Sequence, residues 1–267
     1  MKFTIITPSF NQAGFIGRTI DSVLKQKGSF EIEYFVMDGG SKDDTVKILK
    51  KFEGKVKRGE YKKFNKNLTF GWISEKDKGQ SDAINKGLRK ATGEIIAYIN
   101  SDDIYYPDAF AAVMEGFRNN PQKIWLSGKC RIINEDDQEI RKKITAYKNF
   151  FLKRYSYNKL LILNFVSQPA TFWRQSAQKK VGVFNENEHL VMDYDYWMKI
   201  GKLSDMIYIN SYLSGFRSYV DNKSSRGFVR QFADEYRVAT GNTGNWLLLV
   251  LHKIHAKLIC LAYKVIS

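Results

Sequence analysis

The sequence predicts an α/β fold, with a parallel sheet over its first 120 residues and a helical extension at its end. Two observations predict it. Short apolar runs alternate with segments whose apolar residues recur at helical spacing, the pattern of βαβ units. Four of those runs end in polar clusters, as strands do when their carboxyl ends line a ligand crevice. At 267 residues, 43% hydrophobic and 14% aromatic, the chain can bury one large core.

Phe3 to Thr7 reads as the first strand, broken at Pro8-Ser9-Phe10-Asn11. Ile16, Ile20, Val23 and Leu24 share one helical face between Phe15 and Gln26. Ile32 to Met37 is a second strand, ending at Asp38-Gly39-Gly40-Ser41, and Asp43 or Asp44 can cap the helix that carries Val46, Ile48, Leu49 and Phe52. Residues 54–67 are basic and polar and read as a surface excursion. Leu68 to Ser74 is a third strand, Ser81 to Ala91 a helix, and Glu94 to Asn100 a fourth strand that delivers Ser101-Asp102-Asp103. Pro107 suits the first turn of a helix running to about Asn119, and 124–133 is a further strand. Beyond it the pattern loosens: Asp193 to Lys202 reads as a helix, 206–217 as a strand and Asn245 to Ile266 as a closing helix.

Charge divides the chain. Residues 1–120 carry 20 Lys/Arg against 16 Asp/Glu and residues 121–267 carry 23 against 12, so the second half holds most of the net charge of +15. Residues 140–185 contain ten Lys/Arg and no acid, interleaved with Tyr147, Phe150, Phe151, Tyr155 and Tyr157. Such a stretch is either a solvated face or a surface for an anionic bilayer or a lipid-linked diphosphate. In the closing helix Lys253, Lys257 and Lys264 fall within about 40° of one another at 100° per residue, among many apolar residues. That pattern suits an in-plane amphipathic helix, or one whose apolar side packs on the domain. Cys130 and Cys260 give neither a disulfide framework nor a metal spacing, and Met1 to Thr4 runs straight into a strand without the sections of a signal peptide. A reducing, cytoplasmic setting on the inner face of a membrane is the expectation.

The chemistry should sit at the strand ends: Thr7-Pro8-Ser9, Asp38 to Ser41, Glu75 to Gly79, and Ser101-Asp102-Asp103. Adjacent carboxylates at Asp102 and Asp103 repel each other, and Mg²⁺ or Mn²⁺ would relieve that while leaving coordination positions for phosphate oxygens. Taken alone, the pair is equally a helix cap. Asp193 and Asp195 straddle Tyr194 at a helix start, where a carboxylate can act as general base or simply as a cap.

Six segments in order resemble the inverting GT-A glycosyltransferases of bacterial family 2: residues 5–11, 36–45, 74–87, 91–103, 168–174 and 192–197. The likeness covers roughly residues 2–220. It implies a Rossmann-like mixed sheet, with residues 1–120 binding the nucleotide-sugar donor, 121–220 binding the acceptor and 221–267 as a helical extension. It also implies site roles. Thr7, Pro8 and Ser9 would line the nucleotide pocket, Asp38 would bond the base (uracil in many such enzymes), and Asp77 would close the nucleoside site. Asp102 and Asp103 match the Asp-x-Asp-type motif that holds the donor diphosphate through a cation, with Asp102 also on the nucleotide side. Asp193 matches the catalytic base, with Asp195 as the alternate, and Gln168 and Arg217 would serve phosphate or acceptor. The chain departs from the pattern at Met192, where an acid is common, and at Arg217-Ser218-Tyr219, where many members carry Arg-x-His with the His at the metal.

The activity implied is non-processive transfer, with inversion, of a sugar from a UDP-type donor to a glycan or a polyprenyl-diphosphate-linked acceptor in cell-surface polysaccharide synthesis. A sugar-nucleotide nucleotidyltransferase would need a Gly-rich basic loop after the first strand, which Thr7 to Asn11 is not. A nucleic-acid-binding role explains the charge but not the strand-end aspartates, so nucleic acid is not an expected partner. A processive synthase would add Gln-x-x-Arg-Trp and spanning helices, and no stretch of about 18 uncharged apolar residues occurs.

Overall fold

The computed structural model describes residues 1–219 and 228–266, with side chains for 1–219 and 230–261. The boundary expected at 220/221 lies outside the described residues.

One mixed sheet organises the chain. Its strands are β1 (Lys2–Ser9), β2 (Glu31–Asp38), β3 (Leu68–Ser74), β4 (Ile95–Tyr98), β5 (Ile104–Tyr105), β6 (Trp125–Ile133), β7 (Glu139–Ile140), β8 (Thr171–Arg174) and β9 (Ile207–Arg217). The order is β3-β2-β1-β4-β8-β6-β9-β5, with β7 hung on β6. The β3-β2-β1-β4 half is parallel, as the βαβ pattern predicts. The antiparallel β8 then joins it to the second half.

The sheet is covered on both faces because its central strands are apolar on both, as parallel strands need to be. Along β1 and β4, Phe3, Ile5, Ile95, Ala97 and Ile99 point to one core, while Ile6, Ile96 and Tyr98 point to the other. The first core is closed by α1 (Ile16–Leu24), α2 (Thr45–Lys57) and α4 (Ala109–Asn119). At its centre Phe110 stacks on Phe3 at 5.0 Å and meets Phe172 at 5.8 Å. The second core is closed by α3 (Gln80–Lys90), α5 (Lys142–Lys153), α6 (Tyr157–Ile162), α7 (Gln175–Val181), α8 (Met192–Gly201) and α9 (Phe228–Asn242). Trp125, Trp173, Trp197 and Tyr196 fill it. Each such ring contributes about 1.5–3 kcal/mol by leaving water.

Two expectations change here. The excursion at 54–67 is not all surface: α2 continues to Lys57, Tyr61 packs on Phe52 and bonds Asp21, and the Asn65 amide donates to the Phe30 carbonyl. The closing helix, α10 (Trp246–Ile266), packs on the domain and also exposes an apolar stripe. Leu248, Leu249 and Ile259 join the second core and His252 bonds the Leu161 carbonyl, whereas Trp246, Leu247, Val250, Leu251, Ile254, Leu258 and Leu261 face outward. Among the described residues no helix is long and apolar enough to cross a membrane.

Candidate active site

The parallel register brings three strand ends level: Ser9 pairs with Asp38, and Asp38 with Ser74. Two loops beyond them are laced together. The backbone amides of Asn11, Gln12 and Ala13 donate to Ser41 Oγ, Thr45 Oγ1 and Asp43 Oδ2, and Lys42 N–H donates to Asn11 Oδ1. Pro8 and Ser9 are buried at this end, and among the described residues the Ser9 hydroxyl has no hydrogen-bond partner. Thr7, expected beside them, stays inside the sheet: it is fully buried and shares a 3.0 Å hydrogen bond with Tyr34.

Asp38 is buried, and its carboxylate accepts from Gly40 N, Ser41 N, Ser41 Oγ and Ser74 Oγ. Three of these bonds go to Oδ2 and one to Oδ1, so Asp38 shapes the loop while Oδ1 keeps capacity for a further donor. Asp77 comes to the same place: a Cβ on Gly39 would lie 2.6 Å from Asp77 Oδ2, so the glycine lets that carboxylate approach this closely. Burial, together with the charges of Asp82 and Asp38, raises the Asp77 pKa, while the Gly79 N–H and Lys86 pull it down.

The turn after β4 holds the acidic pair, and its two carboxylates do different things. Asp103 is fully buried; Oδ1 accepts the Arg217 backbone N–H at 2.8 Å and Oδ2 the Asn100 amide at 3.3 Å. Burial, and then the charge of Asp102, push its pKa well above the ordinary range. Asp102 keeps partial exposure, and its Oδ2 accepts the Tyr219 hydroxyl at 3.0 Å. Burial raises its pKa too, against the Tyr219 bond and the Arg217 charge. Two desolvated neighbouring carboxylates fit a cation. Among the described residues no group of three or more His, Cys, Asp or Glu is arranged to hold one, so Asp102 would share it with phosphate and water oxygens.

Arg217, expected at phosphate or acceptor, is held inside the protein. It has no exposure, and its guanidinium donates to the carbonyls of Asp102 and Asn134 and to Asp137, with Phe15 stacked 5.0 Å away. It ties the acidic turn to the 134–137 turn, a structural use of the charge.

The acceptor side is carried by α8. Asp195 forms a 2.7 Å ion pair with Lys199, while Asp193 caps the adjacent Tyr194 N–H and retains partial exposure. Burial, with the charges of Asp193 and Asp103 added to it, raises the Tyr98 phenol, so both carboxylates are in electrostatic reach of the same buried ring. Gln168, buried, donates to the Tyr98 carbonyl at 2.7 Å, and its own Oε1 has no partner among the described residues. His189 is exposed.

Lys148, Glu235 and its partner Asn164 escaped sequence reasoning. Lys148 on α5 is half-buried, and its desolvated ammonium has a lowered pKa despite the charges of Cys130, Asp193 and Glu235. Glu235 on α9 is buried and pushed up to about 7 by burial; Asn164 and Gln231 donate to its Oε1. Glu235 sits one position from a helical apolar face, and no sequence signal separates it from a solvated acid.

The model of the family described as "Glycosyl transferase family 2" matches residues 4–182. An uncharacterized glycosyltransferase of Mycobacterium tuberculosis is 26% identical over 242 residues, 88% of this chain and 84% of its own. Chondroitin synthase of Escherichia coli is 25% identical over 236 residues, 88% of this chain but 32% of that longer protein. Among solved structures, S. aureus TarS 1-349 in complex with UDP-GlcNAc superposes with a TM-score of 0.65 at 17% identity, over 91% of this chain and 66% of that one. This chain covers 39% of the larger TarS chain. PcManGT, a mannosyltransferase of Pyrobaculum calidifontis in complex with GDP-Man and Mn²⁺, gives 0.59 at 19% identity, over 95% of this chain and 73% of that one. At those identities the structures establish the fold, which is GT-A.

Proposed function

The chain belongs to glycosyl transferase family 2, and on that premise we propose that it is a non-processive, inverting transferase, moving a sugar from a UDP-type donor to a glycan or lipid-linked acceptor in cell-surface polysaccharide synthesis. The observation that supports this is the desolvated Asp102–Asp103 pair at the end of β4, beside strand ends that bring Ser9, Asp38 and Ser74 level. Ser9 and Asp77 take the nucleoside side, and Asp38 holds their loop. Mn²⁺ or Mg²⁺ at Asp102, braced by Asp103 and Tyr219, would neutralise charge on the donor diphosphate. Asp193 accepts the proton of the acceptor hydroxyl as its oxygen bonds the anomeric carbon, while the bond to the diphosphate breaks on the opposite face. The general base supplies about 10²–10⁴-fold of the rate, and positioning supplies much of the rest.

The same proposal places the enzyme peripherally on the inner face of the cytoplasmic membrane. The outer stripe of α10 is continued by Phe150 and Tyr147 of α5, with Lys142, Lys143, Lys153, Arg154, Lys253 and Lys257 exposed around it. An apolar face ringed by cations suits an anionic bilayer. The catalytic part is tested by thermal shift with UDP, GDP and CDP, each with and without Mn²⁺. A Mn²⁺-dependent rise for UDP supports it, and no response to any nucleotide removes the donor site.

A further inference from the structure

Two helices that begin at the strand-end loops each grip the acidic turn with a side chain. α1 follows the loop at 10–13, and Ile16, its first residue, donates its N–H to the Gln12 carbonyl at 2.9 Å. One turn farther on, Thr19 is fully buried. Its hydroxyl lies 2.8 Å from the Ser101 carbonyl oxygen and 2.7 Å from that of Asp103. The carbonyl between them, that of Asp102, accepts from Arg217 Nε at 2.7 Å. Side chains from other elements thus take up every carbonyl of the Ser101-Asp102-Asp103 turn. The same face of α1 extends the grip along the chain. Ser22 Oγ accepts the Tyr105 N–H at 3.1 Å, and Gln26 Nε2 donates to the Tyr106 carbonyl at 2.8 Å while its Oε1 accepts the Phe110 N–H at 3.1 Å.

α3 follows the loop at 75–79 and opens at Gln80. Gln80 Nε2 donates to Asn100 Oδ1 at 2.7 Å, and the Asn100 amide donates to Asp103 Oδ2 at 3.3 Å. Because α1 packs in the first core and α3 in the second, the turn is held from both faces of the sheet.

Resting on the metal assignment in the transferase reading above, we propose that Thr19 and Gln80 are positioning residues for the cation, holding the acidic turn in the shape that presents its carboxylates to the metal.

A threonine hydroxyl has one proton, so it serves two carbonyls by sharing it, and both oxygens must stay close to one point. Residues 101 and 103 are thereby fixed relative to each other. With Arg217 on the carbonyl between them, the backbone that carries both aspartates is fixed as well. A buried carbonyl left without a donor is costly, so the turn resists any other shape. That resistance has work to do here, because adjacent desolvated carboxylates repel and would swing apart on a free loop. Neither Thr19 nor Gln80 is a ligand; each acts through the groups that are. Outer-shell contacts of this kind are worth about ten- to a hundredfold in metal affinity.

The test is calorimetric titration of Mn²⁺ at fixed UDP, with Tm measured alongside. Thr19→Val keeps the side-chain shape and removes the hydroxyl. It is expected to raise the Mn²⁺ concentration at half-saturation about tenfold or more. Thr19→Ser restores the hydroxyl and should recover most of that loss. The control is Thr171→Val. Thr171 is equally buried, and its hydroxyl lies 3.0 Å from Ser127 Oγ and 2.9 Å from the Ser167 carbonyl. Its loss should lower Tm to a similar degree and leave the Mn²⁺ dependence alone, which separates positioning from general loosening. Gln80 is only half-buried, so Gln80→Leu should fold, and it decides the matter if Thr19→Val does not. It is expected to raise the half-saturation about threefold or more, the loss of one hydrogen bond. The proposal is overturned if either folded variant keeps wild-type Mn²⁺ dependence, or if Thr171→Val shifts it as far as Thr19→Val. A wild type whose UDP binding ignores Mn²⁺ would instead overturn the metal assignment on which the proposal stands.

Discussion

Tyr219 donates its hydroxyl to Asp102 Oδ2 across 3.0 Å. It stands where the family pattern read from the sequence has a histidine, so a phenol holds the carboxylate proposed to take the cation. The bond lowers the Asp102 pKa against the desolvation that raises it, and it fixes the orientation of the carboxylate.

Removing that hydroxyl should therefore weaken metal binding without unfolding the protein. Tyr219→Phe is expected to lose about tenfold or more in the Mn²⁺ concentration dependence of UDP binding, the range of outer-shell substitutions. Tyr219→His should restore or exceed the wild-type value, since imidazole can ligate directly. Calorimetric titrations at fixed UDP decide it; a Tyr219→Phe variant with wild-type Mn²⁺ dependence would detach Tyr219 from the metal.

Asp102 and Asp103 should separate cleanly. Asp102→Asn is expected to abolish Mn²⁺-dependent UDP binding at an unchanged Tm. Asp103→Ala strips the acceptor from the buried Arg217 N–H and should cost about 3 kcal/mol, or about 6–10 °C in Tm. Asp103→Asn keeps Oδ1 and should recover most of that. Equal stability of the Ala and Asn variants would show that the Arg217 bond contributes little.

Asp193 and Asp195 differ by the Lys199 ion pair. Asp193→Asn should retain UDP affinity and lose about 10²-fold or more in turnover. Asp195→Asn should lose less than about fivefold, because its carboxylate is already committed to Lys199. The reverse order would move the base to Asp195.

The parallel half was legible because β1, β2, β3 and β4 are short apolar runs followed by polar clusters, which periodicity reads well, although β1 runs through Pro8 to Ser9, past the break the sequence suggests. The second half was not. Its short strands β5 and β7 span two residues each, and α5 and α6 bury only two residues apiece, so their apolar patterns are weak. The site was legible by residue type and not by orientation. Sequence placed Arg217, Asp38 and Thr7 at the right end of the sheet but could not say that each turns inward. Lys148, Asn164 and Glu235 meet only through long-range packing, and no local spacing announces them.

Because α10 contributes Leu248, Leu249 and Ile259 to the core, deleting it should unfold the protein and say nothing about membranes. Point changes on the outer stripe are the sound test. Leu251→Glu with Leu258→Glu should leave Tm within about 2 °C, as exposed sites do, and release the protein from vesicles containing anionic lipid. High salt should weaken wild-type attachment in part, by screening the lysines. A wild type that ignores such vesicles removes the membrane from the proposal.

Glu235 gives the protein a defined pH response. Burial lifts its carboxyl from 4.5 to about 7, with Asp193 pushing the same way and Gln231, Asn164 and Lys148 opposing. Below about pH 4.5 folded and unfolded chains are both protonated here, and the shift has no effect. Between 4.5 and 7 the folded state keeps a proton that the unfolded state has released, so stability falls as pH rises. Above 7 the buried carboxylate carries the whole cost, at most about 3 kcal/mol for a shift of that size. Glu235→Gln, which keeps an acceptor for Asn164, should therefore gain Tm over wild type at pH 8 and lose the gain at pH 5. Denaturant titrations at both pH values check it. An equal difference at the two pH values would mean that Glu235 does not titrate with folding, and that Lys148 already balances it as an ion.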